Sequence, residues 1–295
     1  GYYMIKLVAC DLDGTLLDEN HQLSQRNIQA IQRLHKAGIN FMVATGRNYQ
    51  SVAPMFKKEG IHCDCLLLNG ALITDAYGKR LSHTPLTPGI AEAALRILEE
   101  STLPYHMYTG EGIVSSTPKQ GRAMFIRHMR KQGMRDKEIH ELMETSSFGR
   151  YDREIDDPFQ YLMEEPIIYK LEAFGDDAQQ LQSVRMQLSG MKQTSVTNSV
   201  ADNIEITASD AQKGLALKKL CAKQGLHPDE VMVFGDSLND LSMMREFRYS
   251  FAMANAEDII KEAAGYQTLS NAAHGVAHVL EQLLEAATEK RVSNL

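Results

Sequence analysis

The chain has 295 residues, 43% of them hydrophobic, and a formal net charge of −7. That length can bury one large core or two smaller ones, and the acidic balance argues against nucleic acid or an anionic lipid surface as partner. No apolar run approaches the roughly 18 residues of a membrane span, and no basic-then-apolar signal peptide pattern stands at the N-terminus. The four cysteines include no Cys-x-x-Cys pair. Cys10 and Cys221 read as buried thiols, and Cys63 and Cys65 are too close for a zinc or redox motif, so a cytoplasmic setting is expected.

Residues 5–10 form a short apolar run that predicts a buried strand, ending at Asp11-Leu12-Asp13-Gly14-Thr15-Leu16. Ser24 can cap a helix to Ala37, with Ile28, Ile31 and Leu34 at helical spacing. Residues 39–44 predict a second strand, followed by Thr45-Gly46-Arg47 and a helix to about Lys58. Residues 65–68 predict a third strand, ending at Asn69-Gly70. Residues 72–75 and 80–83 read as a hairpin. Near-continuous apolar strands alternating with helices indicate a parallel sheet covered on both faces.

From Pro85 the character changes. A helix from Ile90, short polar strands, a strand at 167–174 and a helix at 178–188 read as an inserted α/β module. The first pattern is expected to resume near Ser195, with a strand at 204–206 and a helix opening at Lys213. Residues 231–234 predict a strand running into Gly235-Asp236, with Asn239 and Asp240 one turn on. The expectation is α/β: a doubly wound, Rossmann-like parallel-sheet core at 1–85 and 193–295, interrupted by a module at 86–192.

Chemistry collects at the strand ends, where open α/β sheets place their ligands. Asp11 and Asp13 stand together, and two like charges at one strand end are costly unless a cation joins them. Asp236 and Asp240 follow another strand. Hard oxygen ligands without His or Cys suit Mg²⁺. Thr45 and Lys213 suit phosphoryl oxygens. A phosphate monoester dianion repels a carboxylate nucleophile, so a metal and a lysine that cancel its charge are what such chemistry needs.

Asp-Leu-Asp-Gly-Thr-Leu, Thr-Gly-Arg, Lys213-Gly214 and Gly-Asp-Ser-Leu-Asn-Asp, in this order, resemble the motifs of the haloacid dehalogenase (HAD) superfamily, in its Cof-type branch with a type IIB cap. Asn69-Gly70-Ala71, residues 252–256, and Asn271 with Gly275-Val276-Ala277 resemble further signatures of that branch. The resemblance implies a phosphatase with the module at 86–192 as its substrate-selecting cap. It implies Asp11 as nucleophile and Asp13 as general acid, then base. It implies Mg²⁺ held by Asp11, the Asp13 carbonyl and Asp236, supported by Asp240, with phosphate contacts from Thr45, Gly46 and Lys213. Asn69, Gly70, Asn239 and Arg47 are supporting positions, Arg47 more as a local ion-pair partner than as a substrate ligand.

The expected substrate is a small phosphorylated metabolite, such as a sugar, nucleotide or flavin-precursor phosphate, handled by a monomer or weak homo-oligomer. A phosphosugar mutase would use the same fold. A phospho-Asp regulatory module would be shorter and would lack an acid at Asp13. Tyr105, His106, Tyr108, Lys119, Arg122 and Lys170 are candidate leaving-group contacts. His274 and His278, at i, i+4 spacing but without His-Glu-x-x-His, are expected at the surface.

Overall fold

The computed structural model describes residues 4–145 and 150–293. The chain divides into two compact units, residues 1–83 with 212–295, and residues 84–211.

The first unit opens with strands β1 (Leu7–Cys10), β2 (Asn40–Ala44), β3 (Asp64–Leu67), β4 (Leu72–Thr74) and β5 (Arg80–His83) and helices α1 (Gln25–Lys36) and α2 (Tyr49–Lys57). The second unit holds β6 (Tyr105–Thr109), β7 (Gly112–Ser115), β8 (Arg153–Glu154), β9 (Ile168–Phe174), β10 (Thr194–Thr197) and β11 (Asn203–Ala208). Its helices are α3 (Pro88–Ser101), α4 (Pro118–Lys131), α5 (Asp136–Thr145), α6 (Pro158–Leu162) and α7 (Ala178–Ser189). The chain returns to the first unit with α8 (Lys213–Lys223), β12 (Val231–Gly235), α9 (Leu241–Glu246), β13 (Tyr249–Ala252), α10 (Asp258–Ala263), β14 (Tyr266–Gln267) and α11 (Gly275–Ser293).

The first unit's eight strands run in the order β14-β13-β12-β1-β2-β3-β4-β5. Pairing is parallel from β14 to β3 and antiparallel over the β3-β4-β5 hairpin. Val8, Ala9 and Cys10 of β1 are fully buried, as a central strand of a covered sheet requires. β1 is the pivot: the chain winds outward to β2 and β3 on one side, then to β12, β13 and β14 on the other. The ends of β1 and β12 therefore lie at the reversal of strand order, where such sheets open a crevice. Ser24 caps α1 by accepting from the Asn27 N–H, satisfying a backbone donor that the first helical turn leaves open. Asn27 then ties the Leu16 carbonyl to the start of α11 at Ala277 N.

The second unit's sheet runs β10-β11-β9-β6-β7-β8, antiparallel except for β7 with β8. This corrects the expected boundary at residue 193. β10 pairs with β11, and β11 pairs with β9 in the register Ile206↔Leu171. These strands close the inserted module's own sheet, so the first unit resumes only at Gln212. One face of this sheet carries Met107, Leu171, Ala173, Ile204 and Ile206, buried with Leu95 and Leu98 of α3 and Leu181, Val184 and Leu188 of α7. Each such leucine contributes about 1.5–3 kcal/mol by burial. The alternate positions are polar: His106, Tyr108, Lys170, Glu172, Asn203 and Glu205. Tyr105, a candidate leaving-group contact, lies in the apolar layer, and its hydroxyl donates to Glu99.

Candidate active site

After β1 the backbone makes one wide turn, with Leu16 N bonded to Asp11 O and Leu17 N to Leu12 O. Gly14 sits in it at φ +75°, and a Cβ there would lie 2.2 Å from Asp236 Oδ2. Only glycine lets the loops after β1 and β12 come this close. Asp11 N also bonds Phe234 O at 3.2 Å, which extends the β1–β12 ladder to the level of Asp11.

Asp11, Asp236 and Asp240 form the one group of three or more metal-type ligand residues among the described residues, their ligand atoms within 4.8 Å of one another. Lys213, fully buried at the start of α8, donates to Asp11 Oδ1 at 3.0 Å and to Asp240 Oδ1 at 2.8 Å. Asp240 Oδ2 accepts from Asp236 N at 2.9 Å and Ser237 N at 3.2 Å, so both its oxygens are committed to the frame. Asp236 accepts from Thr15 Oγ1 at 2.8 Å and Ser237 Oγ at 2.9 Å.

Three carboxylates share one ammonium, and the deficit shows in their proton affinities. Burial, with the Asp240 charge, pushes the Asp236 carboxyl up to about 6 despite its hydrogen bonds. Burial and the same charge raise Asp11 well above the ordinary value, against the pull of Lys213. Burial would lower the Lys213 ammonium, but Asp11 and Asp240 outweigh it and hold it above the lysine range. All-oxygen donors with unbalanced negative charge fit a hard divalent cation. Asp11 and Asp236 are the pair that would face it; Asp240 fixes them and the lysine.

The carboxylate of Asp13 stands outside this group. Arg47 grips it with Nη2 to Oδ1 at 2.6 Å and Nε to Oδ2 at 2.8 Å, and His21 Nδ1 lies 3.2 Å from Oδ1. Burial would raise this carboxyl; the bonds from His21 and Arg47 prevail and hold it well below the usual range. Any metal contact from Asp13 is thus through its carbonyl, and the cluster's third carboxylate is that of Asp240.

Thr45, buried at the end of β2, accepts from Arg47 N at 3.0 Å, which leaves its O–H to donate. Its carbonyl accepts from Asn69 N, and Arg47 O from Leu68 N, so the loops after β2 and β3 are tied across Gly46. Asn69 takes φ +60°, and its Oδ1 accepts from Asn239 Nδ2 at 3.2 Å, while Asn69 Nδ2 is buried without a partner. Gly70 at φ +105° brings this turn against α8, since a Cβ would lie 2.8 Å from the Ala216 Cβ. His274 and His278, expected at the surface, are half-buried and outside the acidic group.

The sequence reading did not single out Thr15, Ser237 or His21. The two hydroxyls lie inside motifs and could have been found as neighbours of the acids. His21 has no signal of its own.

A model of the haloacid dehalogenase-like hydrolase family matches residues 8–280. The chain belongs to that family, in its Cof-type branch, and its class is that of a phosphoric monoester hydrolase. It is 32% identical to the phosphatase YwpJ of Bacillus subtilis over 289 residues, covering 95% of this chain and 100% of that one. It is 29% identical to the 5-amino-6-(5-phospho-D-ribitylamino)uracil phosphatase YwtE of the same organism, covering 95% and 98%. The solved structure of a haloacid dehalogenase-like hydrolase from B. subtilis superposes with a TM-score of 0.83 at 30% identity, covering 94% of this chain and 99% of that one. No helix among the described residues is long and apolar enough to cross a membrane.

Proposed function

We propose that the chain hydrolyses a small phosphorylated metabolite through an aspartyl-phosphate on Asp11, with Asp13 moving the protons. The observation that carries this reading is the contact of Asp11 with Lys213 inside an acidic group that needs a cation. Asp11 would attack phosphorus while the bond to the leaving oxygen breaks and Asp13 gives that oxygen its proton. Water would then attack the phosphorus, Asp13 would take a proton from it, and the bond to Asp11 would break to release phosphate.

Lys213 meets phosphoryl charge and opposes the rise that burial and Asp240 impose on the Asp11 carboxyl; Thr45 and the backbone at Gly46 supply donors to the phosphoryl oxygens. Mg²⁺, held by Asp11, Asp236 and the Asp13 carbonyl, would supply charge neutralisation to the phosphoryl group. Asp13 rests as a carboxylate under Arg47, the form that accepts a proton from water. For the first step it must carry a proton, which requires Arg47 to slacken its grip.

The second unit is the proposed seat of substrate selection. Relatives include a pyridoxal phosphate phosphatase from Escherichia coli and an HMP-PP phosphatase from Klebsiella pneumoniae, so small phosphorylated metabolites are the substrate class to test. Phosphate release over a metabolite panel with Mg²⁺ tests the reading. Release above the Asp11→Asn control supports it; equal rates for both proteins would sink it.

A further inference from the structure

Two loops of the first unit hold the Asp13 carboxylate. Arg47, between β2 and α2, takes both oxygens, whereas His21 shares only Oδ1, at 3.2 Å. The turn that carries His21 keeps its shape without that contact. Leu17 and Leu23 form an antiparallel bridge, and Leu17 is fully buried. Between them Asp18 N bonds Gln22 O and His21 N bonds Asp18 O, each at 3.0 Å. Asp18 Oδ1 accepts from Asn20 N at 2.9 Å and from Gln22 N at 3.0 Å.

Within this turn His21 takes φ +58°, the left-handed region that glycine enters without cost and an imidazole does not. Its side chain is 66% exposed, so burial of the ring does not account for it. The hydrogen bond of the ring goes to Asp13 Oδ1, and because a carboxylate only accepts, Nδ1 carries the hydrogen. Strain of this kind, enforced by its surroundings, collects at working sites. The two grips on Asp13 also differ. Oδ2 has Arg47 Nε, at 2.8 Å; Oδ1 has both Arg47 Nη2 and His21 Nδ1. When the guanidinium slackens, Oδ2 is released and His21 still holds Oδ1. That bond survives protonation of Oδ2, because the other oxygen of a carboxylic acid still accepts.

We propose that His21 is a positioning residue for the proton transfers: it fixes Oδ1 of Asp13 so that Oδ2 is the oxygen that gives a proton to the leaving group and later takes one from water; this rests on the phosphatase reading above. The proton leaves Oδ2 for the leaving oxygen as the bond from that oxygen to phosphorus breaks. His21 keeps its own proton throughout and acts only by holding Oδ1. A donor at this position therefore matters most where the leaving oxygen needs a proton, and least where it departs as an anion.

The test compares phenyl phosphate with p-nitrophenyl phosphate on the full chain, in wild type, His21→Gly and His21→Asn. Glycine relieves the turn and removes the donor; asparagine tolerates the same φ and keeps an N–H near the place of Nδ1. The quantity read is the ratio of kcat/KM for phenyl phosphate to that for p-nitrophenyl phosphate, which covers the steps up to departure of the phenol. His21→Gly is expected to lower this ratio about tenfold, the worth of one hydrogen bond to a charged group, and His21→Asn to restore most of it. If the role of His21 were only to shape the turn, glycine would serve as well. A ratio unchanged in His21→Gly, or lowered there and not recovered in His21→Asn, therefore overturns the inference. So does a wild type that hydrolyses p-nitrophenyl phosphate alone, since no proton then reaches the leaving oxygen. Thermal unfolding checks that each variant is folded; should His21→Gly not be, His21→Asp, which tolerates this φ and cannot donate, takes its place. If wild type releases phosphate from neither ester above the Asp11→Asn control, the phosphatase reading fails and this inference with it, whereas an unchanged ratio in an active enzyme overturns the inference alone.

Discussion

Arg47 holds the carboxylate of Asp13 by two hydrogen bonds, at 2.6 and 2.8 Å, and that carboxylate is not part of the acidic group of Asp11, Asp236 and Asp240. The proposed proton carrier is thus parked in its charged form. Replacing the guanidinium in Arg47→Gln should raise the Asp13 carboxyl by about one unit or more, the size expected when an adjacent cation is removed. A carbon NMR titration of the Asp13 carboxyl measures it. An unmoved midpoint would show that His21 or the backbone, and not Arg47, holds the group down.

Asp13→Asn should lower kcat/KM by roughly 10²–10⁴ with alkyl phosphates, whose leaving oxygen needs a proton. The loss should be smaller with p-nitrophenyl phosphate, whose leaving group departs as an anion. Equal losses on both substrates, with phosphoryl transfer to the enzyme rate-limiting, would remove Asp13 from the acid role.

Excess chelator should abolish turnover, and Mg²⁺ should restore it, because three carboxylates face a single ammonium. Calcium should restore it poorly, since its larger shell takes more ligands in a looser geometry. Full activity in chelator would contradict the metal assignment.

Glu172 gives the second unit a pH signature. Burial would raise its carboxyl, but the Lys170 charge and the bonds from His106 and Asn203 lower it from 4.5 to about 2. A carboxyl held low stabilises the fold above its unfolded value and loses that contribution as the pH falls from about 4.5 toward 2. The difference is worth about 3 kcal/mol. Urea unfolding across that range should show wild type losing stability more steeply than Glu172→Gln; parallel curves would contradict the assignment.

Much of the first unit was legible because its strands are near-continuous apolar runs, each delivering a polar group at its end. Asp11, Thr45 and Asp236 could be set at strand ends from the sequence alone, and the parallel order β12-β1-β2 then makes them neighbours. The boundary at 193 was not legible, because residues 194–208 alternate in a way that suits either sheet. Only the pairing of β11 with β9 decides it. Nor could the sequence show that Asp240 spends both oxygens on Lys213 and the 236–237 backbone, which makes it a frame residue. The grip of Arg47 on Asp13 joins positions 34 residues apart and has no periodic signal, although a local ion pair was the expected role.

The most direct measurement is an acid quench during turnover of p-nitrophenyl phosphate, followed by peptide mass spectrometry with and without borohydride. The account predicts one phosphoryl group on the peptide holding Asp11, reduced by borohydride at that residue, and no adduct or turnover in Asp11→Asn. A burst of p-nitrophenol matching the enzyme concentration, with the phosphoryl group on another residue, would contradict it.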